Sequence, residues 1–271
     1  MRRQFKFLIC LSLLCTIFYS NIGTTSVNAA QHPKTQSIHL KINKYFILYS
    51  QPYPPFIDNK YRLLIPLRSI QGLMGGTVTY DETTKKAVVK WLDREFELVI
   101  GSTQAKVNGV PIQMDTVPIL KDGAMFLPMR LFLEHTDVSY KWDQKKQLLH
   151  ITDERAEKGL PFEYFAGFDP WAELGKDAFD LLSYKLIPRK SGWAISIKAK
   201  NITGQKIPAG KADIHPLVSY VPPGGFSSDA YSRPSYPKPP ALDKDAVIEI
   251  TRNIGDIKRA EYIISVGRQI P

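Results

Sequence analysis

The sequence predicts an α+β fold: a duplicated unit of short antiparallel strands packed on a short helix, followed by a mainly β, sandwich-like domain. Three observations carry that expectation. A block of residues recurs at a spacing of 62, strand-like apolar runs dominate before and after it, and proline or glycine punctuates the chain where those runs end.

The recurring block is Ile57 to Arg68, which returns as Ile119 to Arg130. At the same offset Tyr80-Asp81 matches Trp142-Asp143, and Ala87 to Val89 matches Leu149 to Ile151. One offset shared by three separate blocks points to one folding unit used twice. In each copy a turn, at Asp58-Asn59 or Asp122-Gly123, precedes a short apolar strand, Leu63 to Ile65 or Met125 to Leu127. Pro66 or Pro128 follows, and the fixed φ and absent N–H of proline suit the first turn of a helix. Leu67, Ile70, Leu73 and Met74 then share one helical face, and Gly75-Gly76 supplies the left-handed stop. Met129, Phe132 and Leu133 are the equivalents in the second copy, whose helix ends in Glu134 to Asp137 without a glycine pair. After each helix come paired strands, Thr77 to Tyr80 with Lys86 to Trp91, and Val138 to Trp142 with Gln147 to Thr152. Between the copies, Asn108-Gly109 marks a hairpin, since both positions of its tight turn need positive φ.

These residues resemble a known family. Pro55-Phe56-Ile57, Ile65 to Arg68, Gly75-Gly76, Tyr80-Asp81, Val107 to Gly109, Leu127 to Arg130 and Trp142-Asp143 together resemble the copper amine oxidase N-terminal-like domain, also called the stalk domain, over about residues 40–152. The resemblance implies an accessory module that neither binds copper nor forms the oxidase cofactor, common in exported proteins of spore-forming Gram-positive bacteria. It carries no oxidase activity to this chain. In keeping with that, His135 and His150 stand isolated and no trio of histidines has ligand spacing, so neither metal nor cofactor is expected.

Beyond Asp153 the pattern changes, and Gly159-Leu160-Pro161 reads as a boundary. The expected layout is a leader over 1–29, a flexible 30–39, the duplicated domain over 40–153 and a second domain over 160–271. In that second part Asp169-Pro170-Trp171 reads as the start of a helix running to Tyr184. Trp193, Ile195 and Ile197 alternate with Ala194, Ser196 and Lys198 as in a half-buried strand, and Ile214 to Val221, Ala246 to Ile250 and Glu261 to Val266 are further strands. Pro222 to Gly225 and the run Ser232 to Pro240, rich in proline with glycine, tyrosine and serine, read as a long surface loop.

The first thirty residues have the parts of a secretory signal: Arg2, Arg3 and Lys6, an apolar run from Phe7 to Tyr19, and the small-residue site Val27-Asn28-Ala29. The run is short of the roughly 20 residues a membrane span needs, so a cleaved leader is expected, with an uncleaved anchor as the alternative. Both cysteines, Cys10 and Cys15, lie inside it, which leaves the exported chain with no disulfide, thiolate metal site or cysteine nucleophile. Of the net charge of +10, three charges leave with the leader. The remaining excess would draw the chain to anionic wall polymers or headgroups. Scattered lysines without an arginine–aromatic stripe argue against nucleic acid.

Candidate residues divide into three groups. Pro66, Arg68, Tyr80, Asp81 and their repeats Pro128, Arg130, Trp142 and Asp143 read as structural, with the arginines capping a strand end or pairing with Asp81 and Asp143, and with ligand contact or a sugar-stacking platform as the alternative. Tyr220, Phe226, Tyr231 and Tyr236 are too many aromatics for a loop this polar to bury, and stand as candidate ligand-binding residues for a partner or glycan. Asp213, His215 and Ser219, or Glu173 and Asp177 on one face of the expected helix, are the nearest approach to catalytic groupings, but no nucleophile elbow surrounds the serine. Asn201-Ile202-Thr203 matches a eukaryotic glycosylation acceptor, which has no bearing on a bacterial chain. The expectation is therefore an exported, non-catalytic structural or binding protein of a Gram-positive cell surface or wall, secreted or wall-bound. Its partner would be an anionic wall polymer, a glycan or another surface protein. The alternatives are a wall-active hydrolase seated in 160–271, or an inhibitor or regulator acting through the proline–tyrosine loop.

Overall fold

The computed structural model describes residues 33–169, 171–220, 225–228 and 238–271. The expected leader, and Tyr231 and Tyr236, lie outside the described residues.

An eight-stranded sheet organises the molecule. Its strands run in the order Tyr140–Asp143, Leu148–Ile151, Leu40–Ile42, Tyr45–Ser50, Ala260–Gln269, Ala212–Tyr220 and Gly225–Ser228, with Lys176–Asp177 added beside Ala260–Gln269. Neighbours are antiparallel except Leu148–Ile151 and Leu40–Ile42, which run parallel with Leu149 opposite Leu40. Both faces of this sheet are covered, and the sequence is written for that. Tyr45, Ile47, Leu217, Tyr262, Ile264 and Val266 enter one apolar core, while Phe46, Leu48, Ile214, Val218 and Ile263 alternate with them into the other. Each such side chain, fully buried, contributes about 1.5–3 kcal/mol of transfer free energy. Period-two alternation thus runs with apolar residues in both phases, and the result is a nearly unbroken apolar run.

On the first face lie two smaller sheets and three helices, α1 (Leu67–Gly72), α2 (Met129–Glu134) and α3 (Leu160–Phe168). One small sheet is a five-strand meander from Thr77 to Gln113, closed by the Asn108-Gly109 hairpin at φ of 50° and 79°. The other pairs Ala124–Pro128 with Leu63–Pro66, and Ile65 lies opposite Leu127, its own counterpart at the 62-residue offset. Leu64 faces Pro128 and Pro66 faces Phe126, so the pairing maps onto itself under the 62-residue offset. α1 and α2 begin and end at positions separated by that same offset. Gly75, at φ 72°, ends the first helical segment, and the Gly76 amide donates to Ile70 O at 2.9 Å. The second helix lacks the glycines, and there the Thr136 hydroxyl donates to Phe132 O at 2.9 Å.

On the opposite face a four-stranded sheet, Gln36–Ser37, Phe179–Pro188, Trp193–Asn201 and Val247–Ile254, packs Phe179, Leu181, Tyr184, Ile195 and Ile197 into the second core. The protein is accordingly strand-rich, with several sheets and few helices. Residues Pro33–Pro271 form one compact unit, because strands from before residue 51 and after residue 211 share the large sheet.

Two local expectations change. The segment read as flexible carries the strand Gln36–Ser37, paired with Tyr184 and Ser183, and Ile38 is buried in the second core. The helix expected from Asp169 to Tyr184 is instead the strand Phe179–Pro188, and the helix lies earlier, at Leu160–Phe168, with Pro161 in its first turn. A β-bulge between Leu181 and Ser183 shifts the inward phase from Phe179 and Leu181 to Tyr184, which lends a strand helix-like spacing. Gly175 also stands where a Cβ would lie 2.4 Å from Arg268 Cδ.

Two histidines clamp the parallel pair of strands. His39 Nδ1 lies 2.9 Å from Gln147 O, and His150 Nε2 lies 2.9 Å from Asn43 O. Burial lowers both pKa values, outweighing the carbonyl acceptors that favour the charged ring. With folded-state values below the unfolded value of about 6.5, the unfolded chain takes up more protons, so stability falls as pH drops below that value. Burial raises the Glu157 carboxyl, which acts in the opposite sense at lower pH. The expected result is that a His39→Gln, His150→Gln double variant loses less thermal stability than the parent between about pH 7 and pH 5.5. Parallel unfolding curves for the two proteins would refute this assignment.

Candidate binding cleft

α2 is a six-residue helix whose inner face, Met129, Phe132 and Leu133, is buried, leaving Arg130 and Glu134 on its outer edge. These two pair at 2.5 Å, and Arg130 Nη1 also donates to Asp115 Oδ2 at 3.1 Å. The same Asp115 oxygen accepts from Arg62 Nε. Two guanidiniums and two carboxylates therefore neutralise one another in a chain, and the Glu134 and Asp115 partners hold the Arg130 pKa above its usual value. Exposed pairs of this kind add little to stability, about 0–1 kcal/mol each. Their effect here is to fix the orientation of the guanidinium and carboxylate groups.

Beside this row opens a cleft of about 340 Å³, walled by Tyr61, Tyr140 and Trp142, floored by Leu63, Met129, Leu133 and Leu149, and rimmed by Arg62, Arg130, Glu134 and Gln144. Tyr61 is 64% exposed and Tyr140 43%. Trp142 is half-buried and its indole N–H donates to Gln144 Oε1 at 2.8 Å, which holds the ring in place.

Tyr61 is the unusual member. It sits at φ 61°, a left-handed conformation that costs a bulky residue about 1–2 kcal/mol. The turn enforces it: Asp58 Oδ1 accepts from the Lys60 and Arg62 amides, each at 2.8 Å, and Asp58 Oδ2 accepts from Thr116 Oγ1 at 2.9 Å. At the 62-residue offset the position is Gly123, at φ 76°, where the conformation is free of strain. Glycine takes this conformation freely, whereas here the same conformation places a tyrosine at the mouth of the cleft.

The matching face of α1 is closed. Tyr262 Oη donates to Arg68 O at 3.1 Å, and a Cβ at Gly72 would lie 2.1 Å from that hydroxyl. Gly72 stands at the 62-residue offset from Glu134, and the edge of α1 there is filled by Tyr262 while the Glu134 edge of α2 lines an open cleft.

The structure redistributes the residues expected from sequence. Arg130 lies in the cleft rim and pairs with Glu134 and Asp115, not with Asp143. Arg68 is exposed and makes no ion pair with Asp81. The aspartates instead cap their own turns, Asp81 accepting from the Thr83 and Thr84 amides and the Thr84 hydroxyl, and Asp143 accepting from the Lys146 amide. Those bonds hold both carboxyls below the usual range. Pro66 and Pro128 stand at the N-caps of α1 and α2. Tyr80 is 40% exposed, away from the cleft, while its counterpart Trp142 lines it. Of the proline–tyrosine loop, Tyr220 ends its strand packed against the second core, and Phe226 lies opposite Ser219 in the strand Gly225–Ser228.

The imagined catalytic groupings have other duties. Arg268 donates from both terminal nitrogens to Asp169, at 2.6 and 2.7 Å, and from Nε to Asp213 at 2.8 Å. All three side chains are buried, with Arg268 at 3%, Asp169 at 1% and Asp213 at 6% exposure. Burial opposes the Arg268 charge, but the two carboxylates outweigh it and raise its pKa. Asp213 is therefore committed to an ion network, and its neighbour His215 packs edge-on against Phe165 at 5.3 Å. Asp177 pairs with Lys41 in the large sheet and shares no helix with Glu173. Asn201 is fully buried, its amide donating to Gln205 O and Asp243 O. Among the described residues no group of three or more His, Cys, Asp or Glu side chains could hold a metal ion, and no helix is long and apolar enough to cross a membrane.

Sequence reasoning passed over Tyr61, Arg62, Asp115, Glu134 and Tyr140. A signal for Tyr61 was present in the repeat itself, as the tyrosine standing where the other copy has glycine.

Residues 42–151 match the family model of the copper amine oxidase N-terminal domain, a span that contains the whole cleft. No curated protein matches the chain.

Proposed function

We propose, taking the copper amine oxidase N-terminal domain at residues 42–151 as premise, that this chain is an exported, non-catalytic binding protein of a bacterial cell surface or wall. The observation that carries the reading is the cleft. Its exposed aromatics sit beside charged groups that are already paired with one another, an arrangement suited to holding a ligand rather than to moving protons. The leader-like N-terminus supports export, and the positive charge of the remainder supports retention near anionic wall polymers.

The domain is one unit of short antiparallel strands and a short helix used twice. The shared 62-residue offset of α1 and α2, and the self-complementary pairing of Ile65 with Leu127, support this history. Duplication followed by divergence accounts for one helix face being closed by Tyr262 and the other left open.

Co-sedimentation of the chain from residue 30 with purified Gram-positive walls, with and without teichoic acid and at low and high salt, tests the proposal. Retention that survives high salt is the expected result. Retention abolished by salt or by removal of teichoic acid would reduce the interaction to charge attraction, and no retention would remove wall binding altogether.

A further inference from the structure

We infer that the cleft formed by the 58–62 turn, α2 and the strand Tyr140–Asp143 is a site for an uncharged glycan, with Tyr61 and Trp142 as its stacking surfaces. The inference rests on the reading of this chain as a binding protein and names the ligand class of that site.

Charge decides among the ligand classes. Arg62 and Arg130 face a wall polymer with their positive charge already committed to Asp115 and Glu134, so a phosphate would have to displace a carboxylate that is held in place. A cationic ligand meets the same difficulty with the guanidiniums. A sugar ring carries no net charge. It presents a face of C–H groups that packs on an aromatic ring and a rim of hydroxyls that both donate and accept. The cleft supplies both: three aromatic side chains as walls, and Arg130, Glu134 and Gln144 as planar hydrogen-bonding groups around them. Its volume of about 340 Å³ falls at the small end of ligand sites. The aromatic rings also carry two rotatable side-chain torsions each, so little entropy is lost when they are engaged.

Tyr61 supplies the independent observation. A left-handed backbone that the second copy satisfies with Gly123 is occupied here by a tyrosine whose ring is largely exposed, at the cleft mouth. Packing does not explain the residue, whereas contact with a ligand does.

The test is titration of the chain from residue 30 with soluble oligomers of N-acetylglucosamine and of glucose. Poly(glycerol phosphate) and a tyrosine-containing peptide serve as the competing classes. The readouts are calorimetry and the Trp142 indole N–H resonance, identified by its loss in Trp142→Phe. Saturable binding of at least one uncharged oligomer, unchanged at high salt, is expected. Tyr61→Gly and Trp142→Ala should each weaken it by about tenfold or more. Tyr61→Gly should do so with an unfolding midpoint equal to or above that of the parent, since glycine relieves the left-handed strain. That result separates a binding role from a structural one. Failure of both neutral oligomers to bind, or binding indifferent to both variants, overturns the inference. Binding of poly(glycerol phosphate) alone, lost with salt, also overturns it and leaves only charge attraction to the surface. Binding of the peptide alone would assign the cleft to a protein partner instead.

Discussion

Arg268→Met is expected to lower the free energy of unfolding by about 3–5 kcal/mol, the cost of breaking a buried pair from one side. The reason is the state in which it leaves the partners. Asp169 follows α3 and Asp213 begins the strand Ala212–Tyr220, and both are held against the strand Ala260–Gln269 by one guanidinium. A methionine fills most of the volume but leaves two carboxylates in a site where each is at most 6% exposed. Losing the shared guanidinium favours their protonation or the entry of water. Denaturant unfolding at neutral pH measures the loss, and adding Asp169→Asn to the variant should recover part of it. A loss below about 1 kcal/mol would mean that the network behaves like an exposed pair and does not tie these three segments together.

Phe132→Ala is the second large effect, again about 3–5 kcal/mol. Phe132 is fully buried on the inner face of α2, with its ring centroid 4.6 Å from Phe96 and 6.4 Å from Trp91. Trp91 is itself anchored by its indole N–H, which donates to Met74 O at 3.1 Å. The phenyl ring is thus the contact through which the second helix grips the five-stranded sheet. Its removal leaves a cavity beside Phe96 and the anchored Trp91. Denaturant unfolding gives the number, and a cost near 1 kcal/mol would show that the helix is held elsewhere.

The parts of this architecture that depend on local chemistry were legible in the sequence. Asn108-Gly109 and Asp122-Gly123 form tight hairpins because those residues accept positive φ, and Pro66 and Pro128 stand at helix starts because the proline ring suits them. Long-range pairing was not legible. Nothing local to Tyr45–Ser50 says that it pairs with Ala260–Gln269, more than two hundred residues away, although its burial at every position but the half-buried Tyr49 shows why it needs cover on both faces. The bulge at Leu181–Ser183 hid a strand by shifting its phase. The cleft was half visible. Arg130 and Trp142 stood out because they recur, whereas Tyr61 matters because it does not recur: its counterpart is glycine. Asp115 lies outside the repeated block altogether and is joined to Arg62 and Arg130 only by folding.

The most direct test of the account is wall retention at high salt for the parent chain, Trp142→Ala and Tyr61→Gly, each shown to be folded by its unfolding transition. The parent should sediment with the walls, and both variants should be released. Variants retained as fully as the parent would contradict it, placing the binding face away from this cleft.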